Sequence, residues 1–122
     1  MAGTDPRRHV GANGEDAVAQ WYRDAGYEVL DRNWRVRDGE LDLVVRDNGT
    51  LVFCEVKTRR SDRFGLPVEA VTLRKQQRLR VLAGRWLEAH ASARGGRLRF
   101  DVASVVPDGG GGWIVSVLEA AF

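Results

Sequence analysis

Two apolar-rich runs flank Asn48-Gly49 in the stretch GELDLVVRDNGTLVFCEVKTRR, residues 39–60. Asn-Gly between such runs is the strongest short-range signal for a β-hairpin, because both central residues of a type I′ turn need positive φ. A two-residue turn pairs Asp47 with Thr50 and Arg46 with Leu51, and continued inward it sets Asp42 opposite Glu55. A four-residue loop beginning at Asp47 keeps that register, whereas an odd-length loop breaks it. Directly opposed side chains have Cβ atoms about 4.5 to 5.5 Å apart, close enough for two carboxylates to destabilise the pair. Period-two alternation then places Lys57 on the face of Glu55, with Cys54 and Val56 on the other.

Charge inside a half-buried strand costs stability unless it faces water or serves chemistry. A divalent cation between Asp42 and Glu55 would turn their repulsion into coordination, and the Lys57 ammonium would stabilise negative charge developing on a phosphoryl group. Unlike Arg, a partly buried Lys changes protonation state, so Lys57 can help position or deprotonate an attacking water. Together these are parts for phosphodiester hydrolysis with Mg²⁺ or Mn²⁺ as cofactor. The bland alternative is an exposed hairpin face on which Lys57 neutralises Glu55 or Glu40, and a Glu-x-Lys triplet alone is a weak signal. Only carboxylates supply metal donors in quantity. One cysteine, Cys54, excludes an internal disulfide and a cysteine-based zinc site, and His9 and His90 make a His-rich site a poor expectation. Cys54 itself reads as a small buried thiol.

At 122 residues the chain suits one compact domain. Residues 1–10 read as a flexible N-terminal segment and residues 11–122 as a single domain. From Asn13 onward, Val18, Trp21, Tyr22 and Ala25 fall at helical spacing, with Gly26 placed to end the helix. Glu15 lies on the inward face of that helix, although a first-turn acid also suits the helix dipole. Residues 27–36, 40–47 and 51–59 read as strands. After a loop containing Gly65 and Pro67, Thr72 is placed to cap a second helix whose core stripe is Leu79, Leu82, Ala83, Trp86, Leu87 and His90. Residues 97–106 and 113–118 read as two further strands separated by a glycine-rich turn. The expected fold is α/β with an αβββαβ core: three antiparallel strands, a right-handed helical crossover to a parallel fourth, and an additional C-terminal strand. That makes a mixed sheet flanked by helices.

A formal net charge of +2 hides a segregation along the chain. Residues 1–56 carry seven Arg and eleven acids, whereas residues 57–99 carry twelve Arg or Lys and only three acids. A basic block after an acidic one suggests a polyanion lying against one side of the molecule; a solvated Arg-rich surface is the plain alternative. Arg74, Arg78 and Arg85 fall within about 40° of one another on a helical wheel, a row that could track phosphates. Lys75 falls instead on the azimuth of Leu79, Leu82 and Trp86, where it and the helix N-terminus could approach a phosphate. Arg59 and Arg60 continue the basic rim. The expected partner is nucleic acid, DNA ahead of RNA, while pairing of the acidic and basic halves between copies as a homodimer is an alternative use of the charge. No apolar run spans a bilayer and the first ten residues lack the core of a secretory signal, so the expected location is cytoplasmic, with no membrane partner.

GELD, the hairpin and EVKTR, preceded by a helix bearing Gly14-Glu15 and followed by RKQQRL and RFDV, resemble the YraN-type family of small bacterial proteins. That family is similar to the restriction-endonuclease-like PD-(D/E)xK nucleases, including archaeal Holliday-junction resolvases. The resemblance covers residues 11 to about 106. It implies a restriction-endonuclease-like fold, with Asp42 as the motif aspartate, Glu55 and Lys57 as its E-x-K and Glu15 as the acid of the first helix. Leu41 stands where the wider superfamily often carries proline. The expected function is a metal-dependent nuclease acting on DNA, structured or branched DNA of repair or recombination included. A non-cleaving nucleic-acid-binding protein that keeps the nuclease fold is the alternative, and a self-pairing interaction domain is a third.

Overall fold

Asn48 and Gly49 adopt φ of +47° and +80°, the left-handed pair that a type I′ turn requires, and fold β3 (Gly39–Asp47) onto β4 (Thr50–Thr58). Pairing runs from Asp47↔Thr50 to Leu43↔Cys54, the register expected of a two-residue turn. The computed structural model describes residues 7–9, 13–59 and 71–122. Here the hairpin belongs to a six-stranded sheet whose outer members are β1 (Arg7–His9), β2 (Glu28–Val36), β5 (Arg97–Pro107) and β6 (Trp113–Leu118). Across the sheet the order is β1-β6-β5-β4-β3-β2. Among the described strands only β4 and β5 run parallel, and α2 (Leu73–Ala89) lies in the crossover between them. The αβββαβ order, the mixed sheet and the extra C-terminal strand are therefore present, an arrangement consistent with a restriction-endonuclease-like core. Within the segment read as a lead-in, Arg7–His9 pairs antiparallel with β6. Three residues carry no local strand pattern, and only the tertiary partner orders them. The loop with Gly65 and Pro67 lies outside the described residues.

Each helix covers one face of the sheet. α1 (Gly14–Asp24) buries Val18, Trp21 and Tyr22 against Leu43, Val52 and Val105. α2 buries Leu79, Leu82 and Trp86 against Val44, Phe53 and Phe100, as its stripe predicts. Both helices start at defined caps. Asn13 and Asp16 form a reciprocal capping box, with the Asp16 N–H donating to Asn13 Oδ1 at 2.9 Å. Thr72 Oγ1 accepts from the Lys75 N–H at 3.2 Å, which fixes Lys75 as the third helical residue. A Cβ at Gly14 would sit 2.7 Å from Val105 Cγ2 and 2.9 Å from Thr58 Oγ1. Only glycine lets the first turn of α1 settle onto the ends of β4 and β5, and that contact sets where Glu15 stands. Among the described residues no helix is long and apolar enough to cross a membrane.

Candidate active site

At the end of the hairpin away from its turn, the ladder stops. Beyond Leu43↔Cys54, the Asp42 carboxylate rather than the β3 backbone meets β4, with Oδ2 accepting from the Val56 N–H at 2.9 Å. Alternation breaks at the same place. Leu43 and Val45 belong to the core under α1, yet Leu41 belongs to the core under α2. On the neighbouring strand, Asn33 takes φ +51° between the pairs Arg32↔Leu43 and Trp34↔Leu41. The two strands turn over together at Asn33 and Asp42. Strict register therefore does not set Asp42 opposite Glu55, as the sequence suggests; the local turnover and the bond to Val56 bring it there.

Glu55 points to the α2 side, in step with Leu51 and Phe53, and is 7 % exposed. Its Oε2 lies 2.5 Å from Lys75 Nζ and 3.5 Å from Lys57 Nζ. Asp42, Glu55, Lys75 and Arg78 line a cavity of about 230 Å³, closed by Gly39, Glu40, Leu79 and Leu82. Burial, then repulsion from Glu55, pushes the Asp42 carboxyl up to about 7; the Val56 N–H opposes the rise and Glu15 adds to it. The neighbouring Lys75 and partial burial hold Lys57 below its ordinary value despite the attraction of Glu55. Burial works to lower Lys75 too, but the contact with Glu55 outweighs it and the net shift is upward.

The other sequence candidates are distributed around this centre. Glu15 is half-buried and within electrostatic reach of Asp42, but it lines a separate polar cavity with Asn13, Asn33, Arg35 and Thr58. Asp42 lines the cavity under α2, and Glu15, in the second cavity at the start of α1, reaches it only through charge. Arg74 and Arg78 are exposed on the first turns of α2, and Arg78 borders the Glu55 cavity. Arg85, expected to extend the phosphate row, pairs instead with Asp38 at 2.5 Å on the β2–β3 tip. Arg59 is half-buried, and its N–H donates to the Val105 carbonyl at 2.8 Å. Arg60 lies outside the described residues. The close pairing of Lys75 with Glu55 is not evident in the sequence, although the inward azimuth and the Thr72 cap hint at it. No signal marks Asp101, a fully buried acid bound by Arg99 and Tyr22.

Two adjacent carboxylates offer an oxygen-only donor set of the kind hard divalent cations prefer. Their mutual repulsion, written in the raised Asp42, is relieved by a cation placed between them, so Asp42 and Glu55 fit Mg²⁺ or Mn²⁺. Among the described residues no third His, Cys, Asp or Glu joins them in one cluster. Relatives share this sequence over most of its length. A protein of Nocardia farcinica is 47% identical over 122 residues, covering 100% of this chain and 95% of its own. One of Acidothermus cellulolyticus is 45% identical over 132 residues, with 100% of both chains covered. One of Beutenbergia cavernae reaches 55% over 97 residues, 80% of this chain and 81% of its own. All three carry the name UPF0102 protein, and the sequence profile described as "Uncharacterised protein family UPF0102" matches residues 14–105. That span runs from Gly14 at the start of α1 through both acids and into β5, and the chain belongs to the UPF0102 family, the YraN-type family to which GELD and EVKTR point.

Proposed function

We propose that this protein is a metal-dependent nuclease that hydrolyses phosphodiester bonds of DNA. The observation that carries the reading is the crowding of Asp42 against buried Glu55 beside two ammonium groups, at a cavity bordered by the basic start of α2. A divalent ion, when bound there, supplies a Lewis acid for the phosphoryl group. Asp42 and Glu55 would hold it, with Asp42 oriented by the Val56 N–H. Lys57 as an ammonium faces developing negative charge, and because it is held below its ordinary value its neutral amine form is within reach to take a proton from an attacking water. Arg74 and Arg78 offer charge to the flanking phosphates without reading sequence. Glu15 acts on Asp42 through its charge.

Incubation with plasmid, linear, single-stranded and branched DNA in Mg²⁺ or Mn²⁺ tests this. Cleavage that depends on the ion and disappears in Asp42→Asn and Lys57→Ala is expected. Equal cleavage by those variants would remove the assignment. Salt-sensitive binding without any product would favour the non-cleaving binding protein.

A further inference from the structure

Glu55 carries one ammonium more than a hairpin motif needs. Lys57 shares its strand, but Lys75, from α2, makes the shorter contact, 2.5 Å against 3.5 Å to the same oxygen. Lys75 also lines the cavity with Asp42, Glu55 and Arg78, whereas Lys57 is not part of that wall. With both carboxylates ionised, two carboxylates and two ammoniums leave no net charge. A divalent ion approaching such a site gains little from the summed field, and has to take Glu55 from an ammonium already in contact with it. Lys75 is the one placed to give way. It stands in the first turn of α2 with its side chain 37% exposed, on a flexible four-carbon stem between exposed Arg74 and Arg78.

We propose that Lys75 is an exchangeable counter-cation: it holds Glu55 until a phosphodiester anion draws its ammonium away, and so couples polyanion binding to divalent-ion binding at Asp42 and Glu55. The inference rests on the metal-dependent reading above and adds regulation to it. Thermodynamic linkage makes the coupling reciprocal: an ion that takes Glu55 frees Lys75 for phosphate, and phosphate that takes Lys75 frees Glu55 for the ion. Lys57, two residues from Glu55 on the same strand, stays beside the acid in both arrangements.

Mn²⁺ titrated calorimetrically into folded wild type, Lys75→Met, Lys57→Met and Asp42→Asn tests the exchange without any cleavage. Lys75→Met is expected to bind Mn²⁺ about 10-fold more tightly than wild type, a gain that mere loss of structure would not produce. Lys57→Met should show no comparable gain. In wild type, Mn²⁺ should also raise acylation of the Lys75 amine, read by mass spectrometry. Equal or weaker binding by Lys75→Met, with binding abolished in Asp42→Asn, would overturn the exchange and leave the metal site standing. An equal gain in Lys57→Met would likewise overturn it. Absence of Mn²⁺ binding in every folded variant would remove both readings.

Discussion

Two buried acids lie next to each other across the β4–β5 ladder, on opposite faces of the sheet, and the fold treats them in opposite ways. Asp101, paired with Cys54, faces α1 and is fully buried. Arg99 donates to both its oxygens at 2.9 Å, the Tyr22 hydroxyl donates at 2.6 Å and the Ala120 N–H at 3.0 Å. Glu55, paired with Val102, faces α2 and meets a second carboxylate and two cations beside a cavity. One cluster spends its charge on holding α1, β5 and the end of the chain together. The other sets Asp42 beside Glu55, where burial and then that second carboxylate push Asp42 up to about 7 although two ammoniums flank Glu55. Both acids are buried; they differ in whether a second carboxylate shares their surroundings.

The same kind of substitution should therefore have different consequences on the two faces. Asp101→Ala leaves the buried Tyr22 hydroxyl and the half-buried Arg99 without their shared acceptor and should cost about 3 kcal/mol, measured by urea unfolding. A loss under 1 kcal/mol would put the two clusters in one class. Asp42→Asn should lower ion-dependent DNA cleavage by about 100-fold or more without lowering stability. At pH 8 it should instead stabilise the fold by about 1 kcal/mol, because it removes a charge disfavoured first by burial and then by Glu55. The sign has a pH window. A carboxyl raised from 3.8 to about 7 on folding binds its proton more tightly in the native chain, so its contribution is full below about pH 4 and is lost as pH rises through about 7. The stability difference between wild type and Asp42→Asn should open across that window and be flat outside it. Smaller effects belong to the surface. Arg74→Ala and Arg78→Ala should each reduce the salt slope of DNA binding by about 1. Arg85→Ala breaks only an exposed pair with Asp38, and should leave the slope unchanged and cost about 0.5 kcal/mol.

What could be read from the sequence was what neighbours along the chain decide. Asn48-Gly49 dictates its turn, Thr72 its cap, and the stripe from Leu79 to Trp86 its buried face, so the element order and the parallel crossover follow from the residues alone. The face of Asp42 does not. Alternation carries Leu43 and Val45 correctly but fails at a rung where a side chain takes over from the ladder, and no local pattern marks Asn33 as the partner of that failure. Lys75 against Glu55 and Arg99 against Asp101 depend on how helix docks on sheet and how strands twist, which are global outcomes. Arg85 shows the reverse limit: its azimuth on α2 is right, but a helical wheel carries no information about Asp38 waiting on another hairpin.

The rung at Asn33 and Asp42 has one more consequence. Past it, Trp34↔Leu41, Arg35↔Glu40 and Val36↔Gly39 form a short hairpin of their own, fastened to α2 through Leu82 and Arg85 and supplying Gly39 and Glu40 to the cavity wall. This tip roofs one side of the cavity from outside the β3–β4 ladder, so a change in its length would alter the cavity's opening before it altered the strand that carries Glu55.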